Sequence, residues 1–132
     1  MKITKFEDLT IWKDSLILTK LVYDHTTTPK FSRDFALRDQ IRRAVISISS
    51  NIVEGFEKNN SNEFCRFLRI SKGSTGEVKN QLYIAHQLGY ISDKDKEDLL
   101  AMMEKLGKQI GSFIVYLEKY KQTRNSKPAT RN

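Results

Sequence analysis

The sequence contains few of the residues that cross-link, interrupt or anchor a protein chain. Its 132 residues include one cysteine, two prolines and two histidines. A single cysteine cannot form a disulfide within one chain, and a chain of this length can fold on one hydrophobic core. No stretch approaches the roughly 18 apolar residues of a membrane span, and no apolar signal segment opens the sequence. We therefore expect a cytoplasmic protein without a membrane segment.

The rarity of histidine and cysteine also argues against catalysis and metal binding. His25 and His86 belong to different predicted helices, and neither follows a glutamate by three residues as in ferritin-like metal sites. Cys65 lies in no nucleophile signature, and the segment 73–76, Gly-Ser-Thr-Gly, lacks the lysine of a phosphate-binding loop. We expect no catalytic residue, no metal and no cofactor.

Apolar residues, by contrast, recur at intervals of three and four along most of the chain, which predicts helices. The first should end before Pro29, and the third and fourth should begin at the capping residues Asn60 and Ser92. Gly89 has the position of a C-terminal glycine cap. The predicted helices cover about residues 6–28, 32–55, 60–89 and 92–120.

Helices of this length with short connections favour an all-α, antiparallel up-down-up-down four-helix bundle. We assign residues 1–121 to the bundle and predict a disordered basic tail over residues 122–132, where apolar residues are scarce. In the first helix, six of the eight residues from 16 to 23 are apolar. A helix that is apolar on several sides is covered on several sides, which suggests a partner subunit.

Five polar residues lie on or beside the apolar stripes of the second and third helices. One hypothesis is a structural polar core that fixes the helix register; the other is that Glu54 and Glu77 form an acid/base pair. We favour the structural hypothesis because no nucleophile, histidine or metal set lies near them in sequence. The five residues are Gln40, Asn51, Glu54, Glu77 and Gln81.

The net charge of +7 is concentrated in two parts of the chain. Residues 30–79 carry ten basic and six acidic residues, and residues 119–132 carry five basic and no acidic ones. Arginine binds phosphate with two parallel hydrogen bonds, so these parts could bind nucleic acid. The alternative is that the charges only keep a structural or protein-interaction module in solution. The candidate nucleic-acid-binding residues are Arg38, Arg42, Arg43, Arg66, Arg69, Lys72, Lys79, Lys119, Lys121 and Arg124.

Several blocks of the sequence, in this order and spacing, resemble the bacterial proteins encoded in 23S rRNA intervening sequences. That family includes the accessory variability protein of diversity-generating retroelements. The blocks begin with the segment 6–9, Phe-Glu-Asp-Leu, and Trp12, and the resemblance extends to about residue 117. The remaining blocks are residues 40–44, 47–56, 63–68, 73–74, 77, 81–82 and 88–91.

The resemblance implies an antiparallel four-helix bundle that assembles into a homopentameric ring. For the retroelement branch it also implies binding to nucleic acid and to a reverse transcriptase through a basic surface. The sequence departs from the family pattern at Lys79, where glutamate is more typical, and at Gly76. The first change makes the third helix more basic. The resemblance thus favours a non-enzymatic accessory protein that binds RNA or an RNA–DNA hybrid.

Overall fold

A computed structural model describes the backbone of residues 3–125 and the side chains of residues 3–120. This part of the chain is all-helical and contains no strand. A single 3₁₀ turn, Phe6–Asp8, precedes the first α-helix. The α-helices are α1 (Thr10–Thr26), α2 (Pro29–Arg33), α3 (Phe35–Glu57), α4 (Ser61–Gln87) and α5 (Asp93–Asn125). No helix among the described residues is long and apolar enough to cross a membrane.

The predicted helix ends are confirmed where a local capping signal marks them. The side chain of Asn60 accepts a hydrogen bond from the backbone N–H of Glu63 at 3.0 Å, which caps α4. Ser92 Oγ accepts from the N–H of Asp95 at 3.1 Å at the start of α5. Gly89 has a φ of +79°, the left-handed conformation that ends α4.

The predicted helix boundaries are wrong at the start of the chain. The backbone of Leu9 is extended, with φ −74° and ψ 124°, so α1 begins at Thr10 and not near Phe6. Pro29 does not merely separate two helices, because it is the first residue of the five-residue helix α2. The second long helix then begins at Phe35, where the Asp34 carboxylate caps it by accepting from the Leu37 N–H. Four long helices and one short helix therefore replace the four that were predicted.

The core is formed by the predicted apolar stripes of the long helices. The apolar stripes of α3 and α4 are buried, and Ile41, Ile48 and Leu68 are completely buried. Helix α3 packs against α1 and α4, and α5 packs against α4 and, less extensively, against α1. The pairs Ser47–Ser74 and Ile48–Ser71 place α3 and α4 antiparallel.

Glycines on α3 and α5 allow these helices to approach α4 closely. At Gly55 of α3, an added Cβ would lie 2.7 Å from Phe67 Cβ of α4. On α5, a Cβ at Gly107 would lie 3.0 Å from Thr75 Oγ1. The α4 glycines behave differently, because a Cβ at Gly73 or Gly76 would meet nothing within 4 Å. Close helix packing therefore occurs at Gly55 and Gly107 and not at Gly73 or Gly76.

Helix α5 continues to Asn125 and thus past the predicted bundle boundary at residue 121. The rest of the predicted tail, residues 126–132, lies outside the described residues.

Candidate nucleic-acid interface

The predicted basic residues of α3 differ in their surroundings. Arg38 Nε donates to Asp39 Oδ1 at 2.9 Å, and its Nη1 donates to the Ser32 carbonyl oxygen at 3.2 Å. The hydrogen bond from Arg38 is the main reason why the pKa of Asp39 is lowered. Two of the five N–H donors of this guanidinium are thus occupied within the chain.

Arg42 is part of the packing between α1 and α3. Its Nε donates to Thr26 Oγ1 at 2.8 Å, and its guanidinium carbon lies 4.3 Å from the centroid of the Tyr23 ring. Such a cation–π contact stabilises the fold and leaves less of the charge for a ligand. Arg43, one residue further on, is exposed. Of the three α3 arginines, Arg43 alone points to solvent as the nucleic-acid hypothesis requires.

Four predicted basic residues lie along the solvent side of α4, where Lys79 is partly buried and the others are exposed. We call them the α4 stripe: Arg66, Arg69, Lys72 and Lys79. With a rise of 1.5 Å per residue, the stripe extends for about 20 Å along the helix. Gly73 and Gly76 lie between Lys72 and Lys79 and leave open space beside the helix backbone. The stripe therefore offers cations with little side-chain bulk between them.

Acidic side chains pair with three of the four cations in the α4 stripe. Arg66 Nη2 donates to Glu63 Oε1 at 3.0 Å, and this hydrogen bond is the largest cause of the lowered pKa of Glu63. Arg69 pairs with Glu118 of α5. Lys79 pairs with Glu104 of α5, and its hydrogen bond is the main cause of the lowered pKa of Glu104. Most of these groups are about half exposed, so solvent weakens each pair.

The three candidate residues near the C-terminus all fall on α5. Lys119 is exposed. Lys121 and Arg124 belong to the helix by their backbone, while their side chains lie outside the described residues.

The predicted polar core exists only in part. Asn51 Nδ2 donates to the Ser47 carbonyl oxygen at 2.8 Å, and Ser47 Oγ shares a hydrogen bond with Ser74 Oγ at 2.9 Å. Gln81 is 4% exposed, and its Oε1 has no hydrogen-bond partner among the described residues. Sequence reasoning missed Ser71, whose buried Oγ donates to the Ile48 carbonyl oxygen at 2.8 Å. The position of Ser71 within the apolar stripe of α4 was the sequence signal that could have identified it as a buried polar residue.

Gln40, Glu54 and Glu77 are exposed, so their assignment to a polar core is wrong. Each directly precedes a buried residue, Ile41, Gly55 and Val78, respectively. One residue along an α-helix rotates the side-chain direction by about 100°, which turns these three side chains away from the core.

A row of aromatic rings near the end of α5 was not identified from sequence. Phe64 and Phe113 pack edge to face, with their centroids 5.5 Å apart. Phe113 and Tyr116 are stacked at 6.1 Å, and Tyr116 and Tyr120 at 6.4 Å. These rings line an open groove of about 610 Å³ beside the α3–α4 turn. The spacing of residues 113, 116 and 120, each about one helical turn apart, was the available signal.

A second groove lies between α1 and α5. It has a volume of about 870 Å³ and is lined by residues that include Leu9, Ile11 and Phe113. Nearby on α1, Leu16 and Ile17 are 43% and 55% exposed. The apolar surface of the first helix is therefore only partly covered within one chain.

Both histidines lie at the end of the bundle opposite to the α3–α4 turn and the row of aromatic rings. His86 of α4 pairs with Asp93, and His25 Nδ1 of α1 lies 3.8 Å from Asp95 Oδ2. No group of three or more His, Cys, Asp or Glu side chains that could hold a metal occurs in the described residues.

Comparison with known proteins gives a family and a fold. Residues 7–112 match the family model of the 23S rRNA-intervening sequence proteins. A solved structure of a protein with unknown function from the S23 ribosomal protein family of Bacteroides thetaiotaomicron is 21% identical, with a TM-score of 0.73. That match covers 80% of this chain and 98% of the other, and at this identity it shows a shared fold. No curated protein matches the chain.

Proposed function

The chain belongs to the family of 23S rRNA-intervening sequence proteins, and we propose that it is a non-enzymatic, oligomeric bundle protein that binds RNA or an RNA–DNA hybrid. The α4 stripe is the observation that carries this proposal. Its four cations lie on one side of the helix, three of them exposed and Lys79 partly so, and the open glycines 73 and 76 would allow a phosphate backbone to approach.

The ion pairs of the α4 stripe are compatible with this function. An exposed ion pair contributes only about 0–1 kcal/mol to the stability of the fold. Phosphates can therefore replace Glu63, Glu104 and Glu118 as partners of the cations at little cost. Lys72 lies between Arg69 and Lys79 on the stripe, and Lys119 adds an exposed charge from α5. Binding would release counterions from the nucleic acid, so its affinity should fall steeply with salt.

Assembly into a homopentameric ring is the second part of the proposal. The exposed Leu16 and Ile17 on α1 and the apolar groove between α1 and α5 support contact with a second copy. A ring would repeat the α4 stripe in every subunit and multiply the local charge. Light scattering should give five times the subunit mass of 15.4 kDa. A monomer would contradict this part of the proposal.

Filter binding of a structured RNA at two salt concentrations tests the nucleic-acid part. The variant Arg69→Glu/Lys72→Glu should bind more weakly. The slope of log binding constant against log salt concentration should be shallower by about one for each lost phosphate contact. A matched control is Lys20→Glu/Lys94→Glu, which reverses two exposed and ion-paired lysines outside the α4 stripe and changes the net charge by the same amount. Equal binding by the two variants, or binding that is insensitive to salt, would overturn the proposal.

One observation favours a different function, that of a protein-interaction module without a nucleic-acid ligand. Three of the four cations in the α4 stripe already have acidic partners on the same chain. A protein partner, of which a reverse transcriptase is one example, would then bind through the apolar groove between α1 and α5. Under this alternative, the charge-reversed variant would capture its partner as the wild type does, at any salt concentration.

A further inference from the structure

Two tyrosines near the end of α5 present their rings to solvent one helical turn apart. Tyr116 is 52% exposed and Tyr120 is 47% exposed. Their centroids are 6.4 Å apart and their planes are inclined by only 14°. Phe113 continues the row at 6.1 Å from Tyr116, with an inclination of 16°. The row therefore starts in the partly buried edge of the core and ends in solvent with near-parallel rings.

The groove beside these rings combines apolar and hydrogen-bonding groups. Asn59 and Ser61, from the turn between α3 and α4, line it together with Tyr116 and Tyr120. The volume of about 610 Å³ leaves room for a planar ring. An amide and a hydroxyl can both donate and accept hydrogen bonds, as the edge of a nucleobase requires. Aromatic faces with adjacent polar groups are typical of sites that bind unpaired bases.

The charge of the neighbouring sequence indicates which ligand would occupy this groove. Residues 119–132 contain five basic and no acidic residues, and this segment starts beside Tyr120. A second copy that docked through this same end would bring the same positive segment to the groove and would be repelled. A nucleic-acid strand would bring phosphates and would be attracted. The charge therefore favours a polyanion over a second copy.

We propose that Tyr116 and Tyr120 form a stacking platform for unpaired bases of single-stranded RNA or DNA. This inference rests on the proposed function and specifies its ligand, because the bases of a duplex are already stacked on each other and cannot reach the rings. The positive charge that the sequence carries over residues 119–132 would attract the phosphates of the same strand. Stacking on an aromatic side chain tolerates any base, so we expect little sequence preference.

Three fluorescent probes of equal length test the platform by binding to the full chain at one salt concentration. They are a single strand, a hairpin duplex and a strand of abasic sites, which has the phosphates but no bases. The wild type should bind the single strand about tenfold more tightly per stacked base than the abasic strand. The variant Tyr116→Leu/Tyr120→Leu should lose this preference and keep its affinity for the other two probes.

Two further variants control for stability and for the phenol groups. Tyr83→Leu removes a ring that is 54% exposed on α4, outside the row, and should bind all three probes as the wild type does. Tyr116→Phe/Tyr120→Phe keeps the rings and should keep the preference. Thermal unfolding of every variant shows whether the fold is intact. If the double leucine variant does not fold, the single variants Tyr116→Leu and Tyr120→Leu test stacking, because each should lose part of the preference for the single strand.

The outcomes separate this inference from the proposed function. If the leucine variant keeps the preference for the single strand, the platform is wrong while nucleic-acid binding stands. If no probe binds to the wild type, both proposals fail. If the leucine substitutions change the mass in light scattering and leave the binding of all probes unchanged, the rings contact a second copy and the platform is again wrong.

Discussion

Tyr90 donates its phenol proton to Asp34 Oδ2 at 2.8 Å, while Oδ1 of the same carboxylate accepts from the Leu37 N–H at 3.1 Å. One carboxylate therefore caps α3 and also holds the connection between α4 and α5, 56 residues away in sequence. The Tyr90 ring packs against Phe31 of α2, with the centroids 5.3 Å apart. These contacts hold the connection between α4 and α5 against α2 and the start of α3.

The hydrogen bond between Tyr90 and Asp34 should give the protein a pH-dependent stability in alkali. It is the main cause of the raised pKa of Tyr90, above the ordinary 10.0, and burial adds to it. Because the pKa of Tyr90 is raised in the folded protein, the hydrogen bond contributes its full stability below pH 10.0. This stability is lost as the pH rises through the pKa of Tyr90 in the folded protein. Tyr90→Phe should lower the melting temperature near neutral pH, and this difference should shrink above pH 10.0. Tyr83→Phe is the control, and a constant difference at all pH values would contradict the prediction.

Replacing Gly55 and Gly73 by alanine should have opposite effects on stability. At Gly55 the new Cβ would lie 2.7 Å from Phe67 Cβ, so α3 and α4 must move apart, at a cost of about 1–3 kcal/mol. At Gly73 the new Cβ meets open space, and the better helix propensity of alanine should add about 1 kcal/mol. Urea unfolding measures both. A stable Gly55→Ala variant would show that the two helices are not in tight contact there.

Arg42 and Arg43 are adjacent in sequence but should have different effects on stability. Arg42→Ala removes the hydrogen bond to Thr26 and the contact with Tyr23, which should cost about 1–2 kcal/mol. Arg43→Ala removes an exposed side chain and should change the stability by less than about 0.5 kcal/mol. Denaturant unfolding distinguishes the two. Equal effects would mean that Arg42 is not part of the packing between α1 and α3.

The ion pair between Lys79 and Glu104 should contribute stability that acid removes. The lysine lowers the pKa of Glu104 below its ordinary 4.5, mainly through their hydrogen bond. Because the pKa of Glu104 is lowered in the folded protein, the ion pair contributes its stability above pH 4.5. This stability is lost as the pH falls through the pKa of Glu104 in the folded protein. Glu104→Gln should therefore melt below the wild type near neutral pH and approach it in acid. Lys79→Gln should show the same convergence, and parallel melting curves for wild type and variants would refute the prediction.

Local sequence signals predicted much of the fold and little of the interface. Asn60, Ser92 and Gly89 mark helix ends through bonds and backbone angles of neighbouring residues, so they could be identified without the tertiary structure. The extended backbone at Leu9 and the short helix after Pro29 have no such unambiguous signal, and both were missed. The basic residues of α4 were identified, but their acidic partners on α5 were not.

The sequence by itself determined the helices and their buried faces, because hydrogen bonding and the 3.6-residue period act between near neighbours. The tertiary structure decided which cations point to solvent and which are already paired. Arg69 meets Glu118 across 49 residues of sequence, and Arg42 meets Thr26 across 16. It also decided that Gln81 is buried and Glu77, on the same helix, is exposed. Such differences depend on which helix lies beside each position, and a pattern along one helix does not contain that information.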